Sequence, residues 1–128
     1  MTVASRTDSA IVLFGHGARD PEWAGPMRRI RDTLRARSDA PRVELAFLEF
    51  MRPTLPEAIA ALAQVGARRV AVVPVFLAQG GHLKRDLPLL LDAARAAHPG
   101  CEITLAAAAG EAEPVVRAMA DYAASCLG

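Results

Sequence analysis

The sequence has 128 residues, 52% of them hydrophobic and 5% aromatic, which fits one α/β domain and excludes a disordered chain. Fifteen Lys and Arg against fourteen Asp and Glu give a formal net charge of +1, which excludes the broad positive field of a nonspecific nucleic-acid-binding protein. No apolar run reaches the ~20 residues that cross a bilayer, and Cys101 and Cys126 lack metal-ligand spacing. We therefore expect a soluble, reduced, cytoplasmic protein with no nucleic-acid or membrane partner.

Four short apolar segments predict β-strands. The continuous apolar runs at 10–14 and 70–76 are typical of strands buried on both faces of a sheet. The segments 43–47 and 103–105 alternate between apolar and other residues, which is typical of flanking strands. Residues 1–9 are expected to be disordered, so the single domain covers residues 10–128.

Helical periodicity follows each predicted strand. The predicted helices start near Asp20, at a capping box formed by Thr54 and Glu57, near Pro88, and at Glu113. The residues expected to face the sheet are Trp23, Met27, Ile30 and Leu34 in the first helix, Leu55, Ile59 and Leu62 in the second, Leu87, Leu90, Leu91 and Ala94 in the third, and Val115, Met119, Tyr122 and Cys126 in the fourth.

The alternation of strands and helices predicts an α/β fold with a parallel sheet, right-handed crossovers and helices on both faces. If the two buried strands are central, the strand order is 2-1-3-4, as in flavodoxin-like doubly wound folds. The chain then reverses its winding direction between strands one and three. Because ligands of such folds bind beyond the carboxyl ends of the strands at this point, we expect the functional residues after strands one and three.

A histidine beside glycine follows each predicted central strand. His16 precedes Gly17, and His82 follows Gly80 and Gly81. Glycine permits positive φ and close approach of the backbone to a large ligand. A single loop histidine is more often structural, but two of the three histidines at neighbouring strand ends favour a functional pair.

The residue types at this pair indicate metal chemistry. Two neutral imidazoles without a nearby thiolate suit a borderline ion such as cobalt, nickel, iron or zinc. They also leave coordination positions open, which indicates catalysis or delivery rather than a closed structural site. His98 is interpreted as structural, because it stands at a predicted helix end where a cation offsets the helix dipole.

Three blocks of residues stand in a specific order and spacing. They are Gly15, His16 and Gly17 with Arg19, Asp20 and Pro21; Phe47, Leu48 and Glu49 with Pro53, Thr54 and Leu55; and residues 73–77 with Gly80, Gly81, His82, Asp86, Leu87 and Pro88. In these blocks the sequence resembles the sirohydrochlorin chelatases of the CbiX type, a short single-domain form related to ferrochelatase. It departs from the family pattern at Ala18, where serine is frequent, and in the alanine run 106–109.

The resemblance implies that His16 is a metal ligand and the proton acceptor, and that His82 is the second metal ligand. It implies macrocycle contacts from Arg52, Leu77, Ala78, Gln79, Gly80, Gly81 and His82. The implied substrates are a divalent metal, Co²⁺ before Fe²⁺ or Ni²⁺, and a sirohydrochlorin-type tetrapyrrole of cobalamin or siroheme biosynthesis, with no tightly bound cofactor. Because longer relatives contain two such domains and no internal repeat is visible here, the resemblance also implies a homodimer.

Several charged residues near the expected site at the ends of strands one and three allow two interpretations. Arg19 and Arg52 either grip substrate carboxylates or are solvated surface charges, and the surface interpretation is favoured for Lys84 and Arg85. Glu49 either assists proton or metal transfer or serves as a structural hydrogen-bond acceptor.

The alternative function is a non-catalytic metal carrier that uses the same two histidines. A histidine phosphatase is disfavoured, because Gly15 stands where such an enzyme needs a phosphate-binding arginine. A nucleotide-binding module is compatible with the fold, but the first strand is not followed by Gly-x-Gly-x-x-Gly.

Overall fold

The computed structural model describes residues 8–128. Its main elements are β1 (Ser9–Gly15), α1 (Gly25–Arg35), β2 (Arg42–Phe47), α2 (Leu55–Gln64), β3 (Arg69–Pro74), α3 (Gly81–Ala97), β4 (Glu102–Leu105) and α4 (Glu113–Ser125). A 3-10 helix covers Pro21–Ala24 before α1, and another covers Ala109–Glu111 before α4. Disorder was expected for residues 1–9, of which residues 1–7 lie outside the described part of the chain. The expectation was wrong for Ser9, which belongs to β1.

The four strands form one parallel sheet in the order β2-β1-β3-β4, which confirms the predicted order. Leu13 of β1 lies opposite Leu45 of β2 and Val73 of β3, and Val70 of β3 lies opposite Ile103 of β4. Because β1 and β3 are parallel neighbours, the segments that follow them leave from the same edge of the sheet.

Apolar clusters cover both faces of the sheet. The larger cluster packs α2 and α3 on one face and includes the fully buried Val12, Ile59 and Leu87. The smaller cluster packs α1 on the other face and includes Leu13 and Met27. Helices on both faces are therefore confirmed. No helix among residues 8–128 is long and apolar enough to span a membrane.

The capping box predicted at the start of α2 is confirmed. The Glu57 backbone N–H donates to Thr54 Oγ1 at 3.3 Å, and the Thr54 N–H donates to Glu57 Oε1 at 2.8 Å. The predicted inward residues Leu55, Ile59 and Leu62 are all buried. This cap fixes the direction in which the chain enters α2 from the β2 end.

The predicted start of the third helix was wrong. α3 begins at Gly81, and Pro88 lies inside it. An internal proline costs about 3 kcal/mol, but the longer helix buries Leu83 in line with Leu87, and each buried leucine contributes about 1.5–3 kcal/mol. His82 therefore lies in the first turn of a helix rather than in a loop.

The apolar stripe predicted for the first helix was wrong in part. Met27 is buried and Leu34 packs against the smaller cluster, but Trp23 is 73% exposed and Ile30 is also exposed. Trp23 lies in the 3-10 helix, where three residues per turn shift it out of phase with α1. Ile30 lies about 60° around the helix from Met27, which places it at the margin of the buried stripe.

The stripe predicted for the fourth helix was also wrong as a core contact. No residue of α4 is buried, and Tyr122 is 73% exposed. The main contact of α4 is the 3-10 helix that precedes it. Met119, Tyr122 and Cys126 therefore form an apolar face that residues 8–128 leave exposed.

Candidate functional site

His16 directly follows β1, and its ring lies against the ring of Phe76, which follows β3. The two ring centroids are 4.2 Å apart, and the ring planes meet at 30°. Phe76 is buried and also contacts Phe14, with centroids 5.7 Å apart. His16 itself is exposed. A fixed aromatic ring thus supports an accessible imidazole where β1 and β3 end.

His82 lies in the first turn of α3 and is exposed. Its Nδ1 atom is 3.3 Å from Nη2 of Arg85, one turn further along the helix. Because a guanidinium only donates hydrogen bonds, Nδ1 accepts in this contact. A metal bound at Nδ1 would replace Arg85, and a metal bound at Nε2 would leave a proton on Nδ1 facing a donor. In either case Arg85 must release the ring before His82 can hold a metal.

Both histidines belong to the segments that leave the same edge of the sheet. The Val75 N–H donates to the Phe14 carbonyl at 2.8 Å, which keeps the chain after β3 beside the chain after β1. Among residues 8–128 no three His, Cys, Asp or Glu side chains group as metal ligands.

The segment that follows β2 is hydrogen-bonded to the segment around His16. The Leu48 N–H donates to the Gly15 carbonyl at 2.9 Å, and the Glu49 N–H donates to the His16 carbonyl at 3.0 Å. Gly17 has a φ of +85°, and a Cβ atom there would lie 1.9 Å from the Glu49 carbonyl oxygen. Only glycine permits this approach, which places the Glu49 backbone directly beside His16.

Arg52 is oriented by the cap of α2. Its Nε atom donates to Glu57 Oε1 at 3.2 Å, and its Nη2 atom contacts Glu57 Oε2. These hydrogen bonds, with the N–H of Thr54, lower the pKa of Glu57 to about 2. The Arg52 side chain is still 82% exposed, so its outer face can contact a further anion.

The segment from Leu77 to His82 is largely at the surface. Leu77, Ala78, Gly80 and Gly81 are exposed and Gln79 is half-buried. Gly80 caps α3 with a φ of −72°, and Gly81 is helical, so neither uses the positive φ that glycine permits. They leave room at the start of α3 instead, because a Cβ atom at either would contact nothing within 4 Å.

Gly110 supports this segment and was missed from the sequence. Its N–H donates to the Phe76 carbonyl at 2.8 Å, and a Cβ atom on Gly110 would lie 2.3 Å from Leu77 Cα. The available signal was one glycine between the alanine run and α4.

Two adjoining cavities lie on the α1 side of the sheet. One, of about 390 Å³, is lined by His16, Gly17, Trp23 and neighbouring apolar residues. The other, of about 430 Å³, is lined by four arginines, Arg19, Arg28, Arg31 and Arg52. The two share Ala18, Phe47 and Met51. The structure therefore places His16 in one cavity and Arg19 and Arg52 in a second cavity that shares three lining residues with it, whereas His82 does not line either cavity.

Arg28 and Arg31 were also missed from the sequence. They stand three positions apart on α1, which is the spacing of residues on one helix face. They line the cavity because α1 packs beside the edge strand β2, and the local sequence pattern does not encode that packing.

Known proteins are similar to this chain in sequence and in fold. The CbiX family profile matches residues 10–125. The sirohydrochlorin cobaltochelatase of Methanocaldococcus jannaschii is 43% identical over 82 residues, which are 64% of this chain and 57% of that protein. That of Methanopyrus kandleri is 42% identical over the same shares. The chain thus spans little more than half the length of these curated relatives.

Solved structures agree with this relationship. A putative cobalamin (vitamin B12) biosynthesis CbiX protein from Marinobacter aquaeolei VT8 has a TM-score of 0.79 and 28% identity, over 93% of this chain and 97% of that one. The sirohydrochlorin chelatase SirB from Bacillus subtilis subspecies spizizenii, in complex with cobalt, has a TM-score of 0.73 and 32% identity. That match covers 87% of this chain and 47% of SirB. The fold, the matched segments and the extent of the profile together establish that the chain belongs to the CbiX family.

Proposed function

We propose that the chain is a sirohydrochlorin chelatase, a lyase that inserts Co²⁺ into the tetrapyrrole of cobalamin biosynthesis. The observation that carries this proposal is the accessible His16 on the Phe76 ring, at the edge of the sheet where His82 lies in the first turn of α3. The relatives named sirohydrochlorin cobaltochelatase and the cobalt complex of SirB support the same activity and metal. SirB from Bacillus subtilis has also been solved with Fe³⁺, which keeps iron insertion and siroheme as the second choice. Nickel remains the third choice.

In the proposed reaction His16 and His82 hold the metal, and pyrrole nitrogens replace the imidazole nitrogens. Two pyrrole protons leave as the metal enters: the His16 imidazole, once released by the metal, accepts one, and solvent water accepts the other. Imidazole binds metal only when it is neutral, so acid weakens metal binding. General-base help contributes about 10² to 10⁴ in rate. Removal of the His16 imidazole is therefore expected to slow insertion by at least a factor of about 100.

We assign the macrocycle contacts to Arg52 and the segment from Leu77 to His82. Arg52 supports this role because its guanidinium is already oriented by Glu57 while its outer face stays accessible. The exposed side chain of Leu77 and the open space at Gly80 and Gly81 suit a large flat ligand. Glu49 lies beside His16, because its backbone N–H donates to the His16 carbonyl at 3.0 Å.

We also propose that the active form is a homodimer in the cytoplasm. The exposed apolar face of α4, formed by Met119, Tyr122 and Cys126, has no cover within the described residues. The match covers 47% of the SirB chain, so the unmatched part of SirB is long enough for a second unit of this size. A second copy on α4 would bury this face. Cys101 and Cys126 are free thiols, which agrees with a reducing compartment.

Light scattering over a range of protein concentrations tests the dimer. We expect the wild type to be a dimer and Tyr122→Lys to be a monomer. Asp121→Lys, on the neighbouring exposed position of α4, is the matched control and is expected to remain dimeric. A monomeric wild type would contradict the dimer.

The insertion assay tests the activity. Purified protein is mixed with sirohydrochlorin and Co²⁺, and the absorption change is compared with a protein-free control. A chelatase accelerates the change, whereas a metal carrier binds Co²⁺ without accelerating it. His98→Ala is the matched control for His16→Ala and is expected to insert Co²⁺ at the wild-type rate. Parallel runs with Fe²⁺ and Ni²⁺ identify the preferred metal.

A further inference from the structure

The cavity of about 430 Å³ lies between α1, the edge strand β2 and the segment 48–53. Its polar lining is almost entirely basic, with Arg19, Arg28, Arg31 and Arg52 facing one acidic residue, Glu44. The formal net charge of the whole chain is only +1, so this is a local concentration of positive charge. We call this space the arginine cavity.

The acidic groups nearby neutralise only part of this charge. Glu44 Oε1 lies 3.5 Å from Nη2 of Arg35, which is not part of the cavity lining. Arg31 Nε lies 3.0 Å from Asp32 Oδ1, and the Arg31 side chain is only 25% exposed. That carboxylate neutralises one of the four cavity arginines in part, and Glu57 neutralises Arg52 in part.

Two arginines of the cavity have no carboxylate partner among residues 8–128. They are Arg19 and Arg28. The guanidinium carbon of Arg19 lies 5.0 Å from the centroid of the Phe50 ring, which holds its planar group on an aromatic face. Both guanidinium groups can therefore accept an anionic ligand without first breaking an ion pair.

The rest of the lining selects the kind of anion. Leu45, Phe47, Phe50 and Met51 add an apolar wall beside the arginines. A guanidinium binds a carboxylate through two parallel hydrogen bonds, and an apolar wall favours carboxylates carried on a hydrocarbon body over a small hydrated ion. The cavity therefore suits a carboxylate side chain on a large, partly apolar ligand.

The position of the cavity points to one such ligand. It shares Ala18, Phe47 and Met51 with the cavity that contains His16. A flat ring beside His16 can thus extend its rim into the arginine cavity. We propose that the arginine cavity binds carboxylate side chains of the tetrapyrrole through Arg19, Arg28 and Arg31. This assignment rests on the proposed function, because it takes the tetrapyrrole as the ligand at His16.

Equilibrium binding of metal-free porphyrins tests the proposal. The probes are uroporphyrin and coproporphyrin, of which uroporphyrin carries more carboxylates, and binding is followed by porphyrin fluorescence. We expect Arg28→Gln/Arg31→Gln to weaken uroporphyrin binding by about tenfold or more, the loss of at least one charge-assisted hydrogen bond. The same double variant should weaken coproporphyrin binding by a smaller factor. Arg29→Gln removes the same charge from the same helix outside the cavity and should leave binding within about twofold.

Arg28→Gln alone guards against a folding defect, because Arg28 makes no ion pair within the described residues. In the insertion assay these variants should raise KM and leave kcat close to wild type, since the arginines contact the rim and not the exchanging nitrogens. Unchanged porphyrin binding in the double variant, or an equal loss in Arg29→Gln, would overturn the proposal.

The outcomes separate this proposal from the proposed function. If the wild type inserts Co²⁺ and the double variant binds porphyrin normally, the cavity assignment fails and the chelatase stands. If the wild type binds porphyrin through these arginines but does not accelerate insertion, the chelatase fails and the cavity assignment stands. A wild type that binds no tetrapyrrole refutes both.

Discussion

Gly17→Ala tests how the site is assembled. A non-glycine residue in the left-handed region costs about 1–2 kcal/mol, and Gly17 has a φ of +85°. The new Cβ atom would also lie 1.9 Å from the Glu49 carbonyl oxygen, so the Glu49 segment must move. Breaking the hydrogen bond from Glu49 N–H to the His16 carbonyl adds about 1 kcal/mol. We expect a total loss of about 2–3 kcal/mol in the free energy of unfolding.

Gly66→Ala is the matched control. Gly66 has a φ of +95°, but a Cβ atom there would contact nothing within 4 Å. It therefore carries the conformational cost alone, about 1–2 kcal/mol. Gly66 follows the carboxyl end of α2, away from the segment that holds His16. We expect this variant to keep its insertion rate, whereas Gly17→Ala should lose most of it.

Urea denaturation of both variants and the wild type measures these free energies. The insertion assay on the folded proteins measures the expected loss of insertion rate in Gly17→Ala. Equal stability of Gly17→Ala and Gly66→Ala would refute the reasoning. It would mean that the contact between Gly17 and Glu49 does not hold the two segments together.

The remaining predictions concern groups around the site. Arg52 lowers the pKa of Glu57, so their ion pair stabilises the fold above pH 4.5, and this contribution is lost as the pH falls through about 2. NMR titration should find a Glu57 pKa of about 2 in the wild type and a higher Glu57 pKa in Arg52→Gln. Gly110→Ala should displace the segment before α3 and raise the KM for tetrapyrrole while Co²⁺ affinity stays near wild type; an unchanged KM would contradict the packing. Arg85→Gln should increase Co²⁺ affinity, measured by calorimetry, because His82 is then free; a weaker affinity would mean that Arg85 assists metal binding.

The strand order was predictable because burial and alternation differ between central and flanking strands. The runs at 10–14 and 70–76 could be buried on both faces only in the middle of the sheet, and this placed His16 at its correct edge. The start of α3 was not predictable from local preference, because Pro88 favours a helix start while the burial of Leu83 requires an earlier one. Local pattern and tertiary packing conflict there, and packing prevails.

Apolar periodicity also misled where the face of a helix is not covered by the sheet. Met119 and Tyr122 have the spacing of a core stripe, yet α4 packs on a 3-10 helix and leaves them exposed. The pattern reports that a face is apolar and not what covers it. Arg28 and Arg31 escaped notice for a similar reason, because only the packing of α1 beside β2 turns them into a cavity wall.

The central requirement of the proposed chemistry is that His16 and His82 bind the same metal ion. NMR of the protein with ¹⁵N-labelled histidine, titrated with Co²⁺, tests it most directly. We expect the ring nitrogens of both residues to shift together and to reach their end point at one ion per pair of rings, while His98 stays unchanged. Shifts confined to one of the two rings, or two separate end points, would contradict a shared ion.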